Sequence, residues 1–264
     1  MIAPDLFDTH AHLHFPEFAG DLDAVLERAR AAGVRKILTI GTDVPTSRAA
    51  AAMAAREPDV WAAVGIHPHE AADADDAALA EIERLAGSLR VVAIGETGLD
   101  YFRLQGDLEW QRERFRVHIR ASRASGKPLI IHTRAASADT IRIMQEEGAG
   151  TNAGGVGGVM HCFTESLEVA EAAMAMGFYI SFSGIVTFKS AKDLQAVARA
   201  VPLERILIET DSPYLAPVPF RGRTNEPAYV KHVAEFLADL KGIPLAQVAQ
   251  QTTDNFFKLF NIVR

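Results

Sequence analysis

Short runs of β-branched and aliphatic residues alternate along the chain with longer stretches in which alanine, leucine and charged residues recur at helical spacing. Several runs are apolar at every position, as in Val91-Val92-Ala93-Ile94, which is typical of strands buried on both faces of a parallel sheet. The predicted strands are Leu6–His12, Lys36–Gly41, Val60–Ile66, Val91–Glu96, Leu129–His132, Val156–His161, Tyr179–Ser183 and Ile206–Asp211. The predicted helices lie near Leu22–Ala32, Thr46–Arg56, Ala77–Ala86, Leu108–Ser125, Ala138–Glu147, Leu167–Met176, Ala191–Ala200 and Ala228–Leu240.

Eight strand–helix pairs in succession, without a long polar linker, predict a (β/α)8 barrel of the TIM type. A single domain over residues 1–264 is expected, because such barrels run to about 250 residues. An open, doubly wound sheet is the alternative, but no GxGxxG motif follows the first strand. Two further helices, near Leu245–Gln251 and Asp254–Phe260, are expected to pack outside the barrel.

Histidine or acidic side chains end five of the predicted strands. The two histidines of strand one are separated by one residue, so both project from the same face. Active sites of (β/α)8 barrels lie at the carboxyl ends of the strands, where histidine and carboxylate side chains can bind a metal ion. The residues concerned are His10, His12, Glu96, His132, His161 and Asp211.

Six such ligands are too many for one tetrahedral ion and suit two ions about 3.5–4 Å apart. Glu96 is the natural bridging carboxylate. His10, His12 and Asp211 are then assigned to one ion, and His132 and His161 to the other. Glu96 and Asp211 are the predicted catalytic residues, Asp211 accepting the proton of the attacking water. The donor types admit Mg²⁺, Mn²⁺ or Zn²⁺.

Each residue also has a purely structural interpretation. A histidine at a strand end can be solvated, Glu96 can pair with an arginine, and Asp211 can cap the turn at Ser212-Pro213. These separate interpretations do not account for six such residues on the same rim of one barrel.

Composition limits the classes of function. The chain has 264 residues, of which 48% are hydrophobic, and a formal charge of −7. That charge argues against tight, non-specific duplex binding but not against a phosphoester substrate, since bound cations reverse the local sign. There is no run of about 18 apolar residues and no signal-peptide pattern at the start, so no membrane partner is expected. Cys162 is the single cysteine, which suits a cytoplasmic location.

Six longer motifs surround these residues: Asp8-Thr9-His10-Ala11-His12-Leu13, Gly65-Ile66-His67-Pro68, Gly95-Glu96-Thr97-Gly98-Leu99-Asp100, His132-Thr133-Arg134, His161-Cys162-Phe163 and Glu209-Thr210-Asp211-Ser212-Pro213-Tyr214-Leu215-Ala216-Pro217. In these motifs the chain resembles the TatD family of metal-dependent, deoxyribonuclease-like hydrolases in the amidohydrolase superfamily. The resemblance covers nearly the whole chain and implies a (β/α)8 barrel, two metal ions on the six ligands above, and hydrolysis of DNA phosphodiesters. We predict cleavage from single-stranded or frayed DNA ends.

Four residues are predicted to contact substrate phosphates. His67 ends strand three, and Arg134 lies two residues past a predicted ligand; Arg221 and Arg223 flank a glycine that permits close approach. Their structural alternatives are a rim histidine and solvated loop charges.

The rival activity is that of an amidohydrolase acting on a C–N or carboxylic ester bond of a small molecule. A barrel that binds metal without catalysis is a rival from outside the enzymes. Nothing in the sequence indicates an obligate protein partner.

Overall fold

The computed structural model describes residues 5–70, 72, 74–102, 104 and 106–262. Within them, strands and helices alternate. The strands are β1 (Leu6–Ala11), β2 (Val34–Ile40), β3 (Val60–Val64), β4 (Val91–Asp100), β5 (Leu129–Arg134), β6 (Gly158–Met160), β7 (Tyr179–Phe182) and β8 (Ile206–Ile208). The helices are α1 (Leu22–Ala31), α2 (Val44–Arg56), α3 (Asp76–Ala86), α4 (Glu109–Ser125), α5 (Ser137–Glu146), α6 (Leu167–Ala175), α7 (Lys192–Ala200), α8 (Val230–Lys241) and α9 (Leu245–Phe260).

The eight strands form one sheet whose order follows the sequence, from β1 to β8. Neighbouring strands are parallel, as in the pairs β1–β2, β4–β5 and β7–β8. The first strand also meets the last: Ala11 and Ser212 form a parallel bridge, and the Thr9 hydroxyl donates to the carbonyl of Ile208 at 3.0 Å. Sequential parallel strands, with the first beside the last, define the (β/α)8 fold, so the predicted fold class is confirmed.

Contacts within the chain group its described residues into two compact units. The terminal unit comprises the residues up to Thr39, Cys162–Ala170 and those from Ile180 onward. Its core includes edge-to-face packing of Phe7 on Phe256, with ring centres 5.0 Å apart, which fixes α9 against β1. The single-domain assignment stays a prediction.

The central unit comprises Ile40–His161 and Glu171–Tyr179. Its core is aliphatic and aromatic: Ile94 on β4, Ile130 on β5 and Phe115 on α4 are fully buried. Gly126 ends α4 with a φ of +68°, a left-handed conformation that glycine adopts at helix ends without steric cost. None of the helices in the described ranges is both long and apolar enough to cross a membrane.

Several boundaries differ from the sequence predictions; β6 and β8, for example, end at Met160 and Ile208 rather than at His161 and Asp211. Strand β4 continues four residues past Glu96 and pairs with β5 as far as Asp100 opposite Arg134. The two helices predicted at the C-terminal end are wrong, since one helix, α9, spans the whole segment. No glycine or proline interrupts it, and the Thr252 hydroxyl donates to the Val248 carbonyl one turn earlier, so this threonine is accommodated inside the helix.

Candidate metal centre

In the terminal unit, β1 and the segment after β8 bring two histidines to one carboxylate. The Nε2 atoms of His10 and His12 lie 3.6 and 3.5 Å from Oδ1 of Asp211. Backbone pairing sets this register, because Asp211 N–H donates to the His10 carbonyl at 2.9 Å and His12 N–H to the Ser212 carbonyl at 2.8 Å. The structure therefore brings together the three residues that the sequence assigned to one ion.

The buried carboxyl group of Asp8 holds the Asp211 segment in place. It accepts the Thr210 N–H at 2.9 Å and the Thr210 hydroxyl at 2.6 Å, and also the His10 N–H at 3.3 Å. Burial raises the pKa of Asp8 to about 8, although the bonds from Thr210 and His10 oppose that shift. Asp211 adopts a φ of +57°, so these bonds support an uncommon backbone conformation.

In the central unit, three imidazoles face a single carboxylate oxygen. Oε1 of Glu96 lies 2.9 Å from Nε2 of His161 and 3.2 Å from Nδ1 of His132. Nε2 of His67 lies 3.5 Å from the same oxygen. Donor atoms of His67, Glu96 and His132 all lie within 4.8 Å of one another. The predicted ligands Glu96, His132 and His161 thus form one cluster, which His67 joins.

Asp100 lies behind His132 and fixes its ring. Its Oδ2 atom is 3.1 Å from Nε2 of His132 and 3.0 Å from Nε2 of His69, while Oδ1 accepts the Phe102 N–H at 2.9 Å. With Nε2 of His132 turned toward Asp100, Nδ1 is turned toward Glu96. A carboxylate on the far nitrogen of a histidine ligand sets its tautomer and orientation, so Asp100 is a positioning residue.

Charges around the cluster set its protonation. Burial alone would lower the pKa of His132, but the carboxylates of Asp100 and Glu96 outweigh it and raise that pKa. Burial alone would likewise raise the pKa of Asp100, but the bonds from His132 and Phe102 hold it well below its usual range. Burial lowers the pKa of His67 to about 3 despite Glu96. His67 is therefore neutral near pH 7.

Close approach of β4 and β5 brings Glu96 and His132 together, and Gly98 permits it. Gly98 has a φ of +135°, and a Cβ atom there would lie 2.0 Å from the carbonyl oxygen of His132. No side chain fits that space. The second glycine of the Gly-Glu-Thr-Gly motif, Gly98, is thus required by the packing of β4 against β5.

The predicted phosphate-binding arginines lie at the surface. The Arg134 guanidinium is 3.9 Å from the ring centre of Phe102, and that of Arg221 is 4.3 Å from the ring of Phe188. Such stacking orients a guanidinium while leaving its N–H edge available. Arg223 is exposed. Their contact with phosphate, and that of His67, stays a prediction.

Three buried acids were missed as site residues by sequence reasoning: Asp8, Asp100 and Glu209. Glu209 is fully buried, and its Oε1 accepts the Cys162 N–H at 2.6 Å. The two-residue period of a strand contained the signal for Asp100, which shares a face with Glu96, and for Asp8, which shares a face with His10.

The donor chemistry fits divalent cations. Imidazole nitrogens and carboxylate oxygens are the ligands that Zn²⁺ and Mn²⁺ take in hydrolytic sites. The donors in both units are buried or nearly so: His10, His12 and His161, together with Glu96, are at most 5% exposed. Buried groups of this kind are retained where they coordinate a cation or pair with one another. The described residues therefore include clusters able to hold a metal ion, among them His67, Glu96 and His132 in the central unit.

Comparisons with known proteins agree with this chemistry. The family described as TatD related DNase matches residues 7–261. An uncharacterized metal-dependent hydrolase, YabD of Bacillus subtilis, is 47% identical over 97% of this chain and 99% of its own. The crystal structure of YJJV, a TatD homolog from Escherichia coli, has a TM-score of 0.90 at 30% identity, covering 98% of each chain.

A relative from Erwinia tasmaniensis, named 3'-5' ssDNA/RNA exonuclease TatD, is 34% identical over 97% of this chain and 100% of its own. Each of these proteins matches the chain over at least 97% of its length, and each match spans the strand ends that carry the two clusters. The chain belongs to the TatD related DNase family and is a metal-dependent hydrolase.

Proposed function

We propose that this metal-dependent hydrolase cleaves phosphodiester bonds of single-stranded DNA, working from a strand end with two divalent ions. The observation that carries the proposal is the pair of buried imidazole–carboxylate clusters at the ends of parallel strands. The description of the family as DNase-related and the name of the Erwinia relative support a nucleic-acid substrate.

The proposed ligand sets follow the two clusters. His10, His12 and Asp211 would hold one ion, His132 and His161 would hold the other, and Glu96 would supply a further carboxylate ligand. Mg²⁺, Mn²⁺ and Zn²⁺ all suit these donors. Ions bound there would polarise the phosphate and lower the pKa of the attacking water.

The side chains of the protein supply the remaining steps. Asp211 accepts the proton from the attacking water as general base, while the hydrogen bonds of Asp8 keep its backbone in place. Asp100 holds the ring of His132 in orientation. The neutral imidazole of His67 can donate a hydrogen bond to a phosphate oxygen.

Arg134, Arg221 and Arg223 would contact phosphates farther along the strand, where guanidinium groups position the backbone without reading its sequence. A cytoplasmic location and function without an obligate protein partner accompany this proposal as predictions.

The test is hydrolysis of an end-labelled single-stranded oligonucleotide by enzyme that has been chelated and reloaded with Mg²⁺, Mn²⁺ or Zn²⁺. We expect a metal-restored ladder, whose direction gives the polarity of cleavage. Glu96→Ala should abolish it, whereas Glu27→Ala, an exposed glutamate on α1, should not. Circular dichroism checks that both variants fold.

Two results would overturn parts of the proposal. A wild-type rate in Glu96→Ala would remove Glu96 from the catalytic centre. A metal-loaded enzyme that cleaves no oligonucleotide but turns over a carboxylic ester or an amide would replace the DNA phosphodiester with a carbonyl substrate.

A further inference from the structure

A row of aromatic rings leads outward from the metal ligands of the terminal unit. The Phe15 ring stacks on the His12 imidazole, with centres 4.6 Å apart and planes 15° from parallel. Tyr214 lies edge-to-face with Phe15 at 6.2 Å. Tyr214 is 51% exposed, so the row begins at a buried metal ligand and ends at a ring open to solvent.

The backbone that carries Tyr214 is firmly held. Asn225 is fully buried, and its side-chain amide donates to the Tyr214 carbonyl at 2.6 Å and to the Thr210 carbonyl at 2.9 Å. The Tyr214 N–H donates to the Asp211 carbonyl at 3.0 Å. An exposed ring on a fixed backbone is preorganised to receive a flat ligand, because little ordering remains to be done on binding.

We propose that Tyr214 and Phe15 form a stacking platform for the terminal nucleobase of a single strand whose scissile phosphate lies at His12 and Asp211. This inference rests on the proposed function and adds that the terminal base of the substrate is bound beside the cleaved bond. In a nucleotide, one sugar lies between the phosphate and the base. In the structure, one ring, Phe15, lies between the ligand His12 and Tyr214, so a phosphate at His12 corresponds to a base at Tyr214. Stacking requires only a π face, so the platform would accept all four bases.

Leu89 is a large apolar residue that is 97% exposed. It lies two residues before the start of β4, at the end of the strand opposite to the predicted ligands, which makes it a suitable control.

The first experiment compares oligonucleotides that carry a normal or an abasic terminal nucleotide. Stacking of one base corresponds to about a 5- to 150-fold change in affinity. We expect Tyr214→Ala to raise KM for the normal substrate within that range and to have no further effect on the abasic one. Tyr214→Phe should behave as wild type, and Leu89→Ala should change KM less than twofold. Equal sensitivity of wild type and Tyr214→Ala to loss of the base would overturn the platform.

A second measurement separates this inference from the proposed function. The deoxynucleoside 5'-monophosphate of 2-aminopurine, whose fluorescence is quenched by stacking, is titrated into metal-loaded wild type and Tyr214→Ala. We expect quenching in wild type that is lost in the variant, even if no oligonucleotide is cleaved. The same quenching in both proteins, or none in either, would refute stacking on Tyr214. Failure of cleavage with Tyr214-dependent quenching would refute only the nuclease assignment.

Discussion

Replacing His118 with glutamine should reduce the loss in free energy of unfolding that we expect when the pH falls from 7.5 to 4.5. His118 lies on α4 and is almost fully buried. Its Nε2 accepts the Ile66 N–H at 3.1 Å, so Nδ1 carries the proton and donates to the Arg114 carbonyl at 2.7 Å. Both nitrogens are used only while the imidazole is neutral. The bond to Ile66 ties α4 to the segment that carries His67.

The size of the effect follows from the pKa of this side chain. Burial lowers the pKa of His118 from 6.5 to about 4. Between these values the unfolded chain binds a proton that the folded chain does not, so stability is present above pH 6.5 and is lost as the pH falls toward 4. Since one pKa unit corresponds to about 1.4 kcal/mol, His118 accounts for roughly 3 kcal/mol of that loss.

The assay is urea unfolding followed by circular dichroism between pH 7.5 and 4.5, with chelator present throughout. Glutamine can accept the Ile66 N–H but does not titrate, so the free energies of unfolding of His118→Gln and wild type should converge as the pH falls. The control, His232→Gln, removes a partly exposed histidine paired with Glu235 at 3.0 Å. If the His118→Gln and wild-type curves stay parallel over the whole range, the argument from buried neutral imidazole is wrong.

Two further predictions concern the central cluster. Asp100→Asn should weaken binding of Zn²⁺ at the central cluster about 10- to 100-fold in calorimetric titrations of chelated protein, because the His132 ring loses its carboxylate partner; unchanged affinity would contradict the positioning role. Gly98→Ala should lower the free energy of unfolding by at least about 3 kcal/mol, since its Cβ meets a backbone carbonyl. The control is Gly106→Ala, because Gly106 has a φ of +94° and nothing lies within 4 Å of its Cβ position. This variant should lose only the cost of about 1–2 kcal/mol for a left-handed residue. Equal losses in free energy of unfolding for the two variants would rule out the clash at Gly98.

The strand-end residues were predictable because a parallel sheet converts sequence position into spatial position. Histidines two apart on β1 must share a face, and strand ends must share an edge. His10 and His12 accordingly meet Asp211, and Glu96 meets His132 and His161. Each of these groupings needed only the strand assignments and the fold.

Other parts of the site depended on details that the sequence does not carry. Asp100 reaches His132 because β4 continues past Glu96, whereas the sequence prediction ended this strand at Glu96. The bond from Thr210 to Asp8 depends on the exact register of β1 and β8. The orientation of Arg134 over Phe102 depends on side-chain rotamers at the surface, which hydrophobic patterning does not determine.

The hydrogen bond between Asp8 and Thr210 joins residues 202 positions apart in the chain. Contacts at such separation form late, because the loop between them must close before they contribute stability. During synthesis His10 and His12 emerge early but must wait for Asp211, when about four-fifths of the chain has been made. A nascent chain that ends before β8 can collapse around its helices yet cannot assemble the terminal cluster. Metal binding by His10, His12 and Asp211 would thus be withheld from every nascent chain that has not yet reached Asp211.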